Sequence, residues 1–266
     1  MSRADFFAGL CILGCANGLS ARMSQSVQQL DWAGAIFSTF NISLIVWVAC
    51  FAGVSLILRD KLVGIKSTDI AVGLVFLILV ILPIVSLSWL ALTGLSLYIL
   101  LFSGANDAAR RGAIILLATT VPMLWSPMLF NLFSKIILEA DATLVSWVLG
   151  THRNGNMVEF VDHSANLIIL AACSSLANMS LAFLCWITVS QTVQHKWRPQ
   201  DLLWCLVACV SVIAVNVTRM SLMGLSLSHY HAIHSPIGDA VTSLIILIFT
   251  VGISVVGARR EIFSRA

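Results

Sequence analysis

Apolar runs long enough to cross about 30 Å of hydrocarbon recur along the chain, separated mostly by short polar breaks. Such a pattern leaves little for a water-facing surface. Each run is continuous and does not alternate apolar with polar residues over about ten positions, so helices are expected and not the strands of a barrel. Only 10% of the 266 residues are charged, against roughly 25% in an average soluble domain. The fold class expected is therefore all-α, a polytopic integral membrane protein forming a single transmembrane domain over 1–266.

Spans are read near 6–21, 33–58, 69–85, 88–103, 113–133, 165–190, 201–226 and 239–257. Only Ser86-Leu87-Ser88 marks the break between the third and the fourth, and Pro83 makes a tight helical hairpin the natural reading. The first stretch follows Arg3, as a cleaved signal would, but Asp5 weakens the basic segment such a signal needs, so a retained span is expected.

Charge orients this arrangement. With both termini inside, the inner segments hold Arg3, Arg59, Lys61, Lys66, Arg110, Arg111, Lys196, Arg198, Arg259, Arg260 and Arg265, against Arg22, Lys135 and Arg153 outside. The positive-inside rule thus supports about eight spans with cytoplasmic termini. These basic residues are scattered beside spans, which speaks against a nucleic-acid footprint and for a lipid bilayer as the surrounding medium.

The longest outer connection runs from about 134 to 164. Its first part, Ser134 to Gly150, is amphipathic and reads as an interfacial helix. Thr151 to Asn156 reads as a turn, and Met157 to Asp162 as a short extended piece.

Seven cysteines with no Cys-x-x-Cys pair give neither a disulfide framework nor a zinc pattern. Cys11 with Cys15, and Cys205 with Cys209, stand four apart as neighbours on helical faces and are adequately explained as small buried side chains. Cys173 differs in its setting, Leu170-Ala171-Ala172-Cys173-Ser174-Ser175-Leu176-Ala177-Asn178, a run of small and polar residues. Close helix packing is the plain explanation of such a run. Read as helix, it puts Cys173 about eight residues, or ~12 Å, below the outer end of its span.

An ionisable residue within a span is costly and therefore a functional candidate, and Arg219 in Asn216-Val217-Thr218-Arg219 is the clearest case. It either faces a partner or polar cavity, or it snorkels outward from about seven residues, roughly 10 Å, below its helix end. The next outer loop carries His229, His231 and His234 directly before the last span. A metal site including Asp239 is one reading of these histidines, although no second ligand motif accompanies them. Mere decoration of a polar loop suits His229, His231, His152 and His163. The third reading is acyl transfer: imidazole draws off the thiol proton, the thiolate attacks a carbonyl, and a cation or hydrogen-bond donor stabilises the oxyanion.

Three motifs then fall in order: Ala172-Cys173-Ser174-Ser175-Leu176 in one span, Asn216 with Arg219 in the next, and His234 with Gly238 opening the last. Together with Gly155-Asn156 before the cysteine, this order resembles the exosortase and archaeosortase family over about 113–257. Family members usually have an arginine where this chain has Ala177, which leaves the subfamily open.

The resemblance implies a membrane cysteine endopeptidase and transpeptidase with catalytic Cys173, Arg219 and His234, and with Asn216, Ser174 and Asn178 as binding or positioning residues. It implies no cofactor and no metal. The partners implied are membrane-anchored proteins with a C-terminal sorting signal of the Pro-Glu-Pro type, and an amine-bearing acceptor. The implied location is the cytoplasmic membrane, with the active site facing the exterior. The competing expectation from another class is a transporter or exopolysaccharide-assembly component without peptidase activity, and a third is an acyltransferase using His234 as base without a covalent cysteine.

Overall fold

The computed structural model describes residues 2–60, 64–102, 104–195 and 198–259, without the side chains of Ala172 and Pro236; Lys61, Lys196, Arg260 and Arg265 of the charge pattern lie outside these. The chain divides into two compact units, one of 1–125 with 187–195 and one of 126–186 with 196–266. The architecture is predominantly helical.

The first unit opens with α1 (Arg3–Phe37), started by a reciprocal cap in which the Ser2 hydroxyl accepts the Asp5 N–H and the Asp5 carboxylate accepts the Ser2 N–H. α1 kinks at Asp31, where φ is 64°, and continues through the polar stretch 22–32 that hydropathy reads as a break. As a result the expected second span, 33–58, is reduced to α2 (Leu44–Ile57), capped by Ser43. α3 (Ser67–Ile81) and α4 (Val85–Leu101) are separate helices, with Pro83 in the break between them. α5 (Asp107–Thr120) starts at an Asn106 cap and runs through a π turn at Val121–Trp125, which contains Pro122.

Small residues let these helices meet backbone to backbone. A Cβ built on Gly112 of α5 would stand 2.5 Å from the Gly53 carbonyl oxygen of α2. Trp89 of α4 is fully buried over Gly18 of α1 and donates its indole N–H to the Gly18 carbonyl at 3.2 Å.

The second unit begins with α6 (Ser126–Leu149), bent at Phe133. A small antiparallel sheet follows, β1 (Arg153–Asn154), β2 (Met157–Glu159) and β3 (Asn166–Ile168), in the order β1-β2-β3. Gly155, at φ 60°, takes the first position of the two-residue turn joining β1 to β2. A 3-10 turn at Ala171–Cys173 leads into α7 (Ser175–Thr192), followed by α8 (Gln200–Met223), the short α9 (Leu227–Ile233) and α10 (Pro236–Gly257).

Among the described residues, four helical segments are long and apolar enough to cross a bilayer: Arg3–Phe37, Asp107–Leu149, Gln200–Met223 and Ile237–Gly257. α2, α3 and α4 are apolar but shorter. Large apolar side chains on these helices are widely exposed, Phe51, Ile81 and Ile237 among them, as a lipid-facing surface requires.

Candidate functional site

The sheet and three helices of the second unit, α6, α8 and α9, share one apolar cluster. Ala142 and Val145 of α6, Val158, Phe160, Leu167 and Ile169 of the sheet region, and Val217, Met220 and Met223 of α8 are buried together, with Cys173, Tyr230 and Ile233 packed against them. Cys173 therefore lies on the sheet side of the unit. The run 165–173 is not the outer part of a helix, as its hydropathy suggests; it is β3, a connecting bend and a 3-10 turn. The depth obtained by counting helical rise to Cys173 consequently does not apply. The cysteine stands two residues ahead of Ser175, where α7 begins.

A chain of buried polar contacts fixes this junction. Asn216 donates from Nδ2 to the Cys173 carbonyl at 2.7 Å and to the Ser175 hydroxyl at 3.0 Å. The Ser175 N–H in turn donates to the buried Asp141 carboxylate of α6 at 3.1 Å, so an acid caps the positive end of α7. Buried Ser174 accepts the Leu176 N–H at 3.3 Å. Asn178 is half-buried in the first turn of α7. Asn216 thus touches the cysteine turn directly, in addition to standing three residues from Arg219.

Arg219 occupies an adjoining sector of α8. At 100° per residue it falls about 60° from Asn216, between the cluster face of Asn216, Met220 and Met223 and the face carrying Ser211, Val215, Thr218 and Leu222. The second face, α9 and α10 line an open-sided cavity of about 890 Å³, whose wall includes Arg219, Thr218, Ser235, Thr242 and Phe249. α8 ends at Met223, so Arg219 is four residues from the helix end and not about seven. Its Nη2 pairs with Asp239 in the first turn of α10, which supplies the partner that a partly buried guanidinium requires. Its buried Nε has no hydrogen-bond partner among the described residues.

The segment with three histidines is mostly helical. Ser226 caps α9, its hydroxyl accepting the His229 N–H and lying 2.7 Å from His229 Nδ1. His234 follows the last turn of α9, exposed, with its ring stacked on Tyr230 at 5.2 Å between centroids. His231 meets the same tyrosine edge-on. Among the described residues, no three His, Cys, Asp or Glu side chains converge as metal ligands would. In the β2–β3 connection, the Ser164 hydroxyl and backbone N–H hold the Asp162 carboxyl below the usual range.

The structure thus brings Cys173, Ser174 and Asn216 together at one turn, sets Arg219 in the wall of the adjoining cavity, and carries His234 on Tyr230, which packs on the cluster that Cys173 also borders. Sequence reading misses Asp141 and Tyr230, and treats Asp239 only as a metal candidate. Asp141 carries a usable signal: it lies on the helical stripe of Leu138, Ala142, Val145 and Leu149, where an acid is buried and needs a donor. Compared with family models, with curated proteins and with solved structures, the chain matches none.

Proposed function

We propose that the protein is a membrane cysteine endopeptidase and transpeptidase, similar to the exosortases, acting on exported proteins that carry a C-terminal sorting signal. The observation that carries this reading is how Cys173 is held. Its carbonyl is fixed by Asn216 on a turn that opens α7, and Asn216 belongs to the same stretch of α8 that presents Arg219 to a large cavity. A nucleophile needs such a fixed backbone, because a misplaced thiol loses most of the benefit of proximity.

In this mechanism His234 takes the Cys173 proton and the thiolate attacks the scissile carbonyl. Arg219 stabilises the oxyanion or orients the substrate. The C–N bond breaks, the leaving amine receives the proton from His234, and a thioester remains. An amine acceptor or water then releases the acyl group and restores the thiol. Asn216, Ser174 and Asn178 position the turn and the bound chain.

Among the described residues, eight apolar helical segments, counting α5 with α6 as one, are compatible with eight spans and with both termini in the cytoplasm. Arg3, Arg59, Lys66, Arg110, Arg111, Arg198 and Arg259 then lie at or beside helix ends on the inner side of the cytoplasmic membrane. The shorter α2 to α4 fit by local thinning of the bilayer. The site faces the exterior, and substrates anchored by their own apolar helix present the cleavage motif there.

The test is co-expression with a tailed candidate substrate, followed by its change in size. Processing is expected to cease in Cys173→Ala and to fall sharply in Arg219→Ala; full processing by both variants rules the mechanism out. One observation favours a second reading, a transporter or assembly component: an Arg219–Asp239 pair in the wall of a mostly apolar cavity is also what a polar pathway uses. Under that reading Cys173→Ala leaves function intact.

A further inference from the structure

The sheet beside Cys173 ends in an unpaired edge. In an antiparallel ladder, opposed residues alternate between pairs that bond to each other and pairs whose backbone groups point away. The Phe160 N–H donates to the Ala165 carbonyl at 3.0 Å and the Ile169 N–H to the Asn156 carbonyl at 2.9 Å, so 165, 167 and 169 aim at β2. Asn166 and Ile168, opposite Glu159 and Met157, therefore turn their N–H and C=O groups to the far side, where the sheet stops. Among the described residues nothing bonds to those groups.

Exposed edges are usually guarded by a lysine, a proline or a bulge. Here the run Asn166-Leu167-Ile168-Ile169-Leu170 carries neither charge nor proline. Ile168 and Leu170 are 50% and 59% exposed on the same side of the strand. Five residues beyond Ile168 comes Cys173, on a turn that Asn216 and Ser175 hold in place.

We propose that β3 is the substrate-docking strand. An extended peptide adds to its free edge as a fourth strand, bonded to the main chain of Asn166 and Ile168 and resting apolar side chains on Ile168 and Leu170, and its carbonyl reaches Cys173. This inference rests on the cysteine reading above and adds what that reading lacks, the conformation in which the substrate is recognised. Strand addition draws affinity from main-chain hydrogen bonds and leaves sequence selection to alternate side chains.

The test uses the full-length protein in lipid nanodiscs and three thiol reagents: iodoacetamide, an acetylated tetra-alanyl chloromethyl ketone, and the same ketone N-methylated at alternate residues. Each forms a bond from the Cys173 sulfur to carbon as halide leaves, and the quantity read is the rate of peptidyl labelling relative to iodoacetamide. N-methylation of the peptide is expected to lower that ratio about tenfold, the effect of one or two main-chain hydrogen bonds. Ile168→Pro should lower it similarly, because proline removes an N–H that the β2 ladder does not use.

A ratio unchanged by both alterations, with iodoacetamide still labelling Cys173, overturns the strand while leaving the cysteine reading intact. A particle mass that halves in Ile168→Pro with no change in the ratio also overturns it, since the edge then joins two copies of this chain. Failure of iodoacetamide to label Cys173 at all overturns the cysteine reading and this one with it. The N-methylated reagent leaves the protein unaltered, so the outcome does not depend on the variant folding.

Discussion

Each unit contains an arginine–aspartate pair, and the two are built differently. In the first, Arg3 Nε and Nη2 bind both oxygens of Asp69 at 2.7 and 2.8 Å, the Tyr98 hydroxyl adds a bond at 2.7 Å, and the arginine and aspartate side chains are 2% and 0% exposed. In the second, Arg219 reaches Asp239 through one nitrogen, the side chains are 15% and 51% exposed, and Nε has no partner among the described residues. A saturated, buried pair joins the starts of α1 and α3 to α4 and has little capacity left for a ligand. An unsaturated pair at the wall of a cavity keeps donors in reserve. The first charge organises helices; the second has a donor left over for another group.

The largest effect expected from breaking this contrast lies in the first unit. Asp69→Ala removes the carboxylate that binds the buried Arg3 guanidinium through two nitrogens, a change that costs about 3–5 kcal/mol. Thermal unfolding in detergent should show a large drop in midpoint, and Tyr98→Phe, which removes the hydroxyl's bonds to Asp69 and Thr68, a smaller one. A variant Asp69→Ala that unfolds like the parent would show that the pair contributes nothing to holding the helices together.

Arg219→Ala comes next and should act on a different quantity. If the guanidinium meets the developing oxyanion, processing falls by about 10²–10³-fold, whereas the unfolding midpoint moves little because the side chain borders a cavity. A midpoint that falls as far as in Asp69→Ala would erase the distinction between the two arginines.

Asn216→Leu acts within the second unit, at the cysteine turn. Removing the amide leaves the Cys173 carbonyl and the Ser175 hydroxyl without this donor, at a cost of about 1–3 kcal/mol. Hydrogen exchange at the 171–175 turn should accelerate and the rate of thiol labelling at Cys173 should change, while exchange in α1 to α4 stays as it was. Uniform acceleration across the chain would mean that Asn216 supports general packing and not the cysteine turn.

What the sequence conveys follows from the same physics. The break at Pro83 is legible because proline interrupts the backbone ladder itself, and β2 lies within a stretch readable as extended. Residues 165–170 are misread as helix because a short apolar run fits a buried strand as well as a span, and periodicity does not separate them. The polar stretch 22–32 misleads in the opposite sense: it is rich in serine and glutamine, which end an apolar run without ending a helix, so α1 runs through it. Candidate site residues are legible one by one, since a guanidinium or a thiol among small residues stands out in an apolar chain. Their partners are not. Asp69 is 66 residues from Arg3 and Asp141 is 34 from Ser175, and only the fold decides which distant groups meet.

The smallest effect belongs to Asp239→Asn. The substitution keeps the shape of the side chain and a hydrogen-bond acceptor for Arg219 but removes the negative charge. Because Asp239 is half exposed, the lost ion pair is worth no more than about 1 kcal/mol of stability, so the unfolding midpoint should stay close to that of the parent protein. Activity is expected to move separately. A guanidinium freed from its counterion binds an anionic group more readily, so inhibition by an anionic transition-state analogue should tighten while folding is unchanged. If Asp239→Asn destabilises the protein as strongly as Asp69→Ala, the second pair is as structural as the first, and Arg219 is no longer a group held in reserve for a substrate.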